Sequence, residues 1–211
     1  MRSQEMELLW RSARRLGRNA AARKPLPPLL FFTDPARTPN PVAVVRGMRR
    51  NSAVVFRAFG GANAVADGLE LRAAARARGM LFFVGADAGL AARLQADGLH
   101  LPERLAGRAG HVRAMRRRFL VTAAAHGLAA VIRARRSGVD AVVVSPVFAS
   151  ASLSARASMG KLRFVALIGK AGLPVYALGG VNARTARALA GSGASGLAAV
   201  DGLRAPERVR T

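Results

Sequence analysis

The chain of 211 residues contains no cysteine. Disulfides and thiolate metal sites are therefore excluded, and cysteine usage says nothing of the redox compartment. No apolar run approaches the ~18 residues that a membrane-spanning helix needs, so no membrane span is expected. Residues 1–24 carry Glu5 and Glu7 and lack the apolar core of a signal peptide, so export is not indicated and a cytoplasmic protein is expected. Acidic residues are scarce, 11 against 34 basic ones, and the basic ones are nearly all arginine, the lysines being Lys24, Lys161 and Lys170.

The resulting net charge of +23 attracts nucleic acid, anionic lipid and small anionic substrates at low salt. The chain shows no recognisable nucleic-acid-binding module, and its phenylalanines lie in apolar runs, not between basic residues. Specific nucleic-acid binding is therefore not expected. What remains is a chain that is 51% hydrophobic, without polar low-complexity blocks. Its length suits a globular protein with one large core.

Met6, Leu9, Trp10, Ala13 and Leu16 fall at helical spacing, with arginines mostly elsewhere around the turn. This predicts an amphipathic N-terminal helix that packs on the body of the protein or contacts a partner. Pro25, Pro27 and Pro28 end it, which divides the chain into residues 1–28, helix and linker, and residues 29–211.

From Leu29 onward an alternation sets in. Short apolar runs at Leu29–Thr33, Ala53–Ala58, Met80–Gly85, Gly98–Leu101, Phe119–Ala123, Ala141–Ser145, Val175–Leu178 and Leu197–Val200 read as strands. Between most of them lie helical segments, Val42–Arg49, Ala64–Arg78, Ala88–Gln95, Leu128–Arg136, Leu162–Lys170 and Ala183–Ala190; the crossover from Glu103 to Arg118 is interrupted by glycine. Continuous apolar strands separated by helices predict a parallel sheet buried on both faces. The repetition predicts an α/β fold, a single-domain (β/α)8 barrel. A doubly wound open sheet is the alternative.

In such a barrel the chemistry gathers at the carboxyl ends of the strands. Arg57 follows Val-Val-Phe there; it is either a surface arginine or a guanidinium that needs an anion partner such as a substrate phosphate. His100 alternates with Leu99 and Leu101 and so faces the barrel interior, as a satisfied core residue or as a substrate contact. His126 stands at a strand end before Gly127, the place for a general acid/base. Ser145 to Ser154 forms a polar loop whose Ser150 and Ser152 offer hydroxyls to a ligand; it reads as a lid or as a plain connection. Gly179-Gly180 ends one strand and Asp201-Gly202 the next, and backbone amides freed of a Cβ can approach an anion at both places.

Three stretches together carry a resemblance: Ala96-Asp-Gly-Leu-His-Leu, Gly138-Val-Asp-Ala-Val-Val-Val-Ser-Pro-Val-Phe, and Leu178-Gly-Gly-Val-Asn with Gly196-Leu-Ala-Ala-Val. In their order and spacing the chain resembles the thiamine-phosphate synthase family, which includes the TenI-like thiazole tautomerases, from about Leu29 to Leu203. The resemblance implies a (β/α)8 barrel, commonly a homodimer, that binds a small phosphorylated heterocycle. The synthase joins a pyrimidine pyrophosphate to a thiazole phosphate with Mg²⁺; the tautomerase aromatises the thiazole phosphate by moving a proton.

Several family positions differ here. The strand-2 Gln-x-Arg-x-Lys pattern is Val55-Phe56-Arg57-Ala58-Phe59, and the Thr-x-Thr-Lys loop is Ser150-Ala151-Ser152-Leu153. The two Mg²⁺ carboxylate positions fall on Ala86 and Leu105, so no metal or other cofactor is expected. Departure of pyrophosphate builds charge that metal and lysine would have to stabilise, whereas a proton shift needs one titratable group and a phosphate anchor. His126 falls on the histidine to which the family's tautomerase chemistry is attributed. The expected activity is metal-independent tautomerisation with His126 as acid/base. Arg57, His100, Ser150, Ser152, Gly179, Gly180, Asp201 and Gly202 are the expected substrate contacts. A catalytically silent binding barrel and a divergent synthase are the alternatives. Asp201 stands where the family usually has serine, and a carboxylate directed into the site is expected to repel a phosphate.

Overall fold

The computed structural model describes residues 2–17, 26–115, 119–150 and 157–203. Eight parallel strands close into a barrel in sequence order, β1 (Leu29–Phe32), β2 (Ser52–Phe56), β3 (Leu81–Gly85), β4 (Gly98–Leu101), β5 (Leu120–Ala125), β6 (Ala141–Val144), β7 (Val175–Ala177) and β8 (Gly196–Ala199). Closure is made by β1 lying parallel to β8, with Leu29 opposite Leu197 and Phe31 opposite Ala199.

Alternation along each strand builds two cores. Leu30, Phe32, Ala53, Val55, Phe83, Ala141, Val143, Tyr176 and Ala198 fill the barrel interior. Their neighbours Leu29, Phe31, Val54, Phe56, Phe82, Val84 and Leu99 face outward into the helical layer. Burial on both faces is why these strands read as unbroken apolar runs.

The interior is packed by pairing large residues with glycine. A Cβ on Gly98 would stand 2.4 Å from the Phe83 ring, and one on Gly196 would stand 2.5 Å from the Tyr176 ring. The Tyr176 hydroxyl donates to the Pro27 carbonyl at 2.6 Å. Burial pushes that phenol up from its ordinary value, so it stays a neutral donor at the bottom of the barrel.

The helices follow in turn: α2 (Pro41–Gly47), α3 (Ala64–Ala77), α4 (Ala88–Arg93), α5 (Ala109–Met115), α6 (Leu128–Arg136), α7 (Lys161–Ala171) and α8 (Ala183–Ala188). The glycine-interrupted crossover resolves into a 3₁₀ turn over Glu103–Arg108 followed by α5.

The N-terminal helix α1 (Arg2–Gly17) packs on the barrel itself, against β8, β1 and α8. Leu9, Ala13 and Leu16 are its buried stripe, and Glu7 ties it to Arg49 at 2.8 Å. Of the two readings of this helix, the structure takes the first. Among the described residues, no helix is long and apolar enough to cross a membrane.

Candidate functional site

The strand ends and their loops enclose a cavity of about 1230 Å³ at the carboxyl face of the barrel. Arg57, His100, His126, Ser150, Gly179, Gly180, Asp201 and Gly202 all line it. Residues drawn from β2, β4, β5, the β6–α7 segment, β7 and β8 are thus brought to one place. Ser152 lies outside the described residues.

His126 is exposed on the cavity wall, just beyond β5. Its Nδ1 is 2.6 Å from the Ser145 carbonyl oxygen. A carbonyl only accepts, so Nδ1 carries the hydrogen, and in the neutral ring the lone pair is on Nε2. The His126 amide donates to Glu103 Oε2 at 3.0 Å, and the other Glu103 oxygen accepts from Arg133 at 2.9 Å. Glu103 therefore holds the backbone of the histidine from behind.

His100 lies in the barrel interior, as alternation predicts. It is 8% exposed, its Nδ1 is 2.9 Å from Thr122 Oγ1, and the Phe32 ring meets it edge-on at 4.8 Å. Burial, together with the nearby Arg57 charge, pulls its pKa down to about 3. His100 is therefore a neutral ring at the cavity floor.

Arg57 does have the anion partner expected of it, but the protein supplies it. Its Nη2 donates to Asp34 Oδ2 at 3.2 Å and its Nε to the Thr33 carbonyl at 2.6 Å. Its guanidinium lies between two rings, 5.8 Å from the centre of Phe32 and 5.0 Å from that of Phe59. Burial lowers its pKa, and Asp34 opposes that shift. Because Asp34 balances its charge, Arg57 is a weaker anchor for an added phosphate than a lone guanidinium.

Asp201 is likewise paired. Arg37 Nε donates to Asp201 Oδ1 at 3.0 Å, and Arg37 Nη2 to Oδ2. This fork-to-fork pair joins the β1–α2 segment to the end of β8. The expected repulsion of a phosphate by Asp201 is thus offset by a guanidinium on the same carboxylate. Arg37, which also lines the cavity, and Asp34 as a partner of Arg57 are the residues that sequence reasoning missed. Both lie in the turn after β1; Asp34 stands at a strand end, where the barrel rule looks for chemistry, but nothing in the local pattern of Arg37 marks it.

The glycine pair has a structural reason of its own. Gly179 and Gly180 have φ of +91° and +62°. A Cβ on Gly180 would stand 2.3 Å from the Ala149 carbonyl oxygen, and one on Gly179 would stand 2.7 Å from Pro146. The β6–α7 segment lies directly on β7 here, with Val147 N donating to the Leu178 carbonyl at 2.8 Å and Phe148 N to that of Gly179 at 3.1 Å. On the far side of residues 151–156, Met159 and Gly160 bond back to Pro146 and Val147.

Beyond the pair, a Cβ on Gly202 would stand 2.5 Å from the Val181 carbonyl oxygen, so that carbonyl occupies part of the space between the two glycine turns. The amides of Gly180 and Val181 donate to no other described residue, and Asn182 caps α8 with a reciprocal bond to Thr185.

At the positions where the resemblance places metal carboxylates, Ala86 and Leu105 carry no side-chain ligand atom. Asp87 Oδ1 accepts from Leu90 N at the start of α4, and Glu103 is engaged as above. Among the described residues, no group of three or more His, Asp or Glu side chains is placed to hold a metal ion.

The chain matches the family model described as thiamine monophosphate synthase (TMP-TENI) over residues 33–203. The chain belongs to the thiamine monophosphate synthase family. Among its relatives in that family, a putative thiamine-phosphate synthase 2 of Aquifex aeolicus is 29% identical over 131 residues, 62% of this chain and 70% of that one. A thiamine-phosphate synthase of Chloroflexus aurantiacus is 30% identical over 150 residues, 69% of this chain and 67% of that one. The solved thiamine phosphate pyrophosphorylase from Pyrococcus furiosus superposes with a TM-score of 0.69 at 23% identity, covering 82% of this chain and 84% of that one, a likeness of fold. The family's barrel is thus the one seen here, with Ala86 and Leu105 where the resemblance places metal ligands.

Proposed function

We propose that the protein binds a thiazole phosphate, or a close phosphorylated heterocycle, and shifts a proton on its ring with His126 as acid/base, without a metal. The observation that carries this reading is the commitment of His126 Nδ1 to the Ser145 carbonyl. In the neutral imidazole this leaves Nε2 as the basic nitrogen of a side chain exposed on the cavity wall. Nε2 takes a proton from a ring carbon and returns it to the other end of the conjugated system. The product is an isomer, so no atom is lost and no leaving-group charge has to be stabilised.

The amides of Gly180 and Val181 take the phosphate. The paired Arg37 and Arg57 supply a local field that is close to neutral. Neutral His100, at the floor, adds no charge to the site.

The second reading, a divergent synthase, is favoured by the chain's similarity to relatives that are named as thiamine-phosphate synthases. It has to stabilise departing pyrophosphate without the carboxylates that the resemblance places at 86 and 105. One experiment separates the two. The nonaromatic thiazole phosphate tautomer is given to the protein in EDTA, and the absorbance of the aromatic product is followed. In parallel, pyrimidine pyrophosphate and aromatic thiazole phosphate are given with Mg²⁺. Turnover in the first assay and none in the second is the expected outcome; the reverse supports the synthase. Binding without turnover in either makes the barrel a silent binding protein.

A further inference from the structure

Phe59 is an exposed aromatic at the rim of the cavity. It is 67% exposed. Of the large apolar residues exposed on the described surface, it alone is aromatic and it alone lines the cavity. Its φ is +48°, a left-handed conformation that a bulky L-residue adopts at a cost. Gly60 and Gly61 follow it at once, so the strained position holds an aromatic in a stretch otherwise rich in glycine. An outlier held at the rim of a site is a reason to ask what it does there.

The surroundings give an answer. The Arg57 guanidinium lies over the Phe59 ring at 5.0 Å, and the other neighbour of that guanidinium is the Phe32 ring at 5.8 Å. Phe32 in turn meets His100 at 4.8 Å. An aromatic–cation–aromatic stack thus runs from the cavity mouth to its floor. Thr33 and Asp34 hold Arg57 in place, so the inner side of Phe59 rests on a fixed group. Its remaining surface is open to the cavity and to solvent.

We infer that Phe59 is the ring-binding platform of the cavity and its specificity determinant, selecting ligands with a flat, unsaturated ring over saturated phosphorylated ones of similar size. The inference rests on the proposal that this cavity takes a phosphorylated heterocycle, and it names the residue that reads the ring. Stacking on an aromatic face is tolerant of ring identity but not of ring saturation. Leucine at this position would keep apolar contact and lose the π face.

The test is calorimetric titration of wild type, Phe59→Leu and Phe59→Trp with thiazole phosphate, pyridoxine 5′-phosphate, ribose 5-phosphate and inorganic phosphate. Wild type is expected to bind at least one of the two aromatic phosphates about tenfold tighter than ribose 5-phosphate. Phe59→Leu should bring that ratio close to one, and Phe59→Trp should keep or raise it. Inorganic phosphate should bind all three proteins alike. A wild type that binds neither aromatic phosphate, or that shows no preference over ribose 5-phosphate, overturns the inference, as does a preference that survives in Phe59→Leu. A Phe59-dependent preference for pyridoxine 5′-phosphate with no binding of thiazole phosphate upholds the platform and defeats the proposed substrate. Turnover of the thiazole tautomer with a preference that survives in Phe59→Leu does the opposite.

Discussion

Arg37 and Asp201 lie 164 positions apart and meet in a bidentate pair at the barrel mouth, Nε to Oδ1 at 3.0 Å. The pair joins the loop after β1 to the end of β8, the two strands whose pairing closes the barrel. It also decides how the site meets an anion, because a carboxylate and a guanidinium line the same cavity and offset one another.

Removing either partner should therefore move anion affinity in opposite directions. Arg37→Ala takes the guanidinium from the Asp201 carboxylate and is expected to weaken inorganic phosphate about tenfold. Asp201→Ser releases Arg37 toward the cavity and is expected to tighten phosphate several-fold, each tenfold step being about 1.4 kcal/mol. Both follow from calorimetric titration at low salt. Equal effects of the two substitutions would mean that the pair serves only to close the barrel.

His100 makes stability depend on pH. Its folded-state pKa is lowered to about 3 from an ordinary 6.5, so between those values the unfolded chain binds the extra proton. Stability is then complete above pH 6.5 and falls as the pH drops toward 3, by at most about 1.4 kcal/mol per pH unit from this residue. Urea denaturation between about pH 6.5 and pH 5.5, where carboxylates add little, should show the slope in wild type. It should be nearly lost in His100→Asn.

The glycines at the mouth differ in what holds them. Gly180→Ala meets both a φ of +62° and the Ala149 carbonyl at 2.3 Å, and is expected to cost about 2–4 kcal/mol. Gly60→Ala keeps a φ of +77° with nothing within 4 Å, and is expected to cost only about 1 kcal/mol. Thermal denaturation of the two variants without ligand separates packing at Gly180 from any role in binding. If Gly180→Ala cost no more than Gly60→Ala, the close approach of the β6–α7 segment would not constrain it.

Most of the barrel was legible because its strands are buried on both faces. The apolar run Gly98–Leu101 is β4 without a residue's difference, and the other runs differ by a residue or two at their ends. The fifth strand runs on through Ala124 and Ala125, where alanine carries no strong preference for strand. The site residues gathered as the barrel rule requires, since strand ends converge once the sheet closes. What could not be read was pairing. Arg37 with Asp201, and Arg57 with Asp34, are made by closure and by a turn, and in a chain so rich in arginine no single one stands out. The glycine pair showed the converse: its sequence signal was clear, but part of its cause is the packing of Pro146 and Ala149 against it.

The central claim is that His126 moves the proton. It is tested most directly by the rate of aromatisation of the thiazole phosphate tautomer by wild type and His126→Ala, in EDTA, with ligand affinity measured alongside. The expected result is a loss of roughly 10²–10⁴ in kcat, with affinity for the aromatic phosphate within a few-fold of wild type. An unchanged rate in His126→Ala, or a wild-type rate that appears only when Mg²⁺ is added, would contradict it.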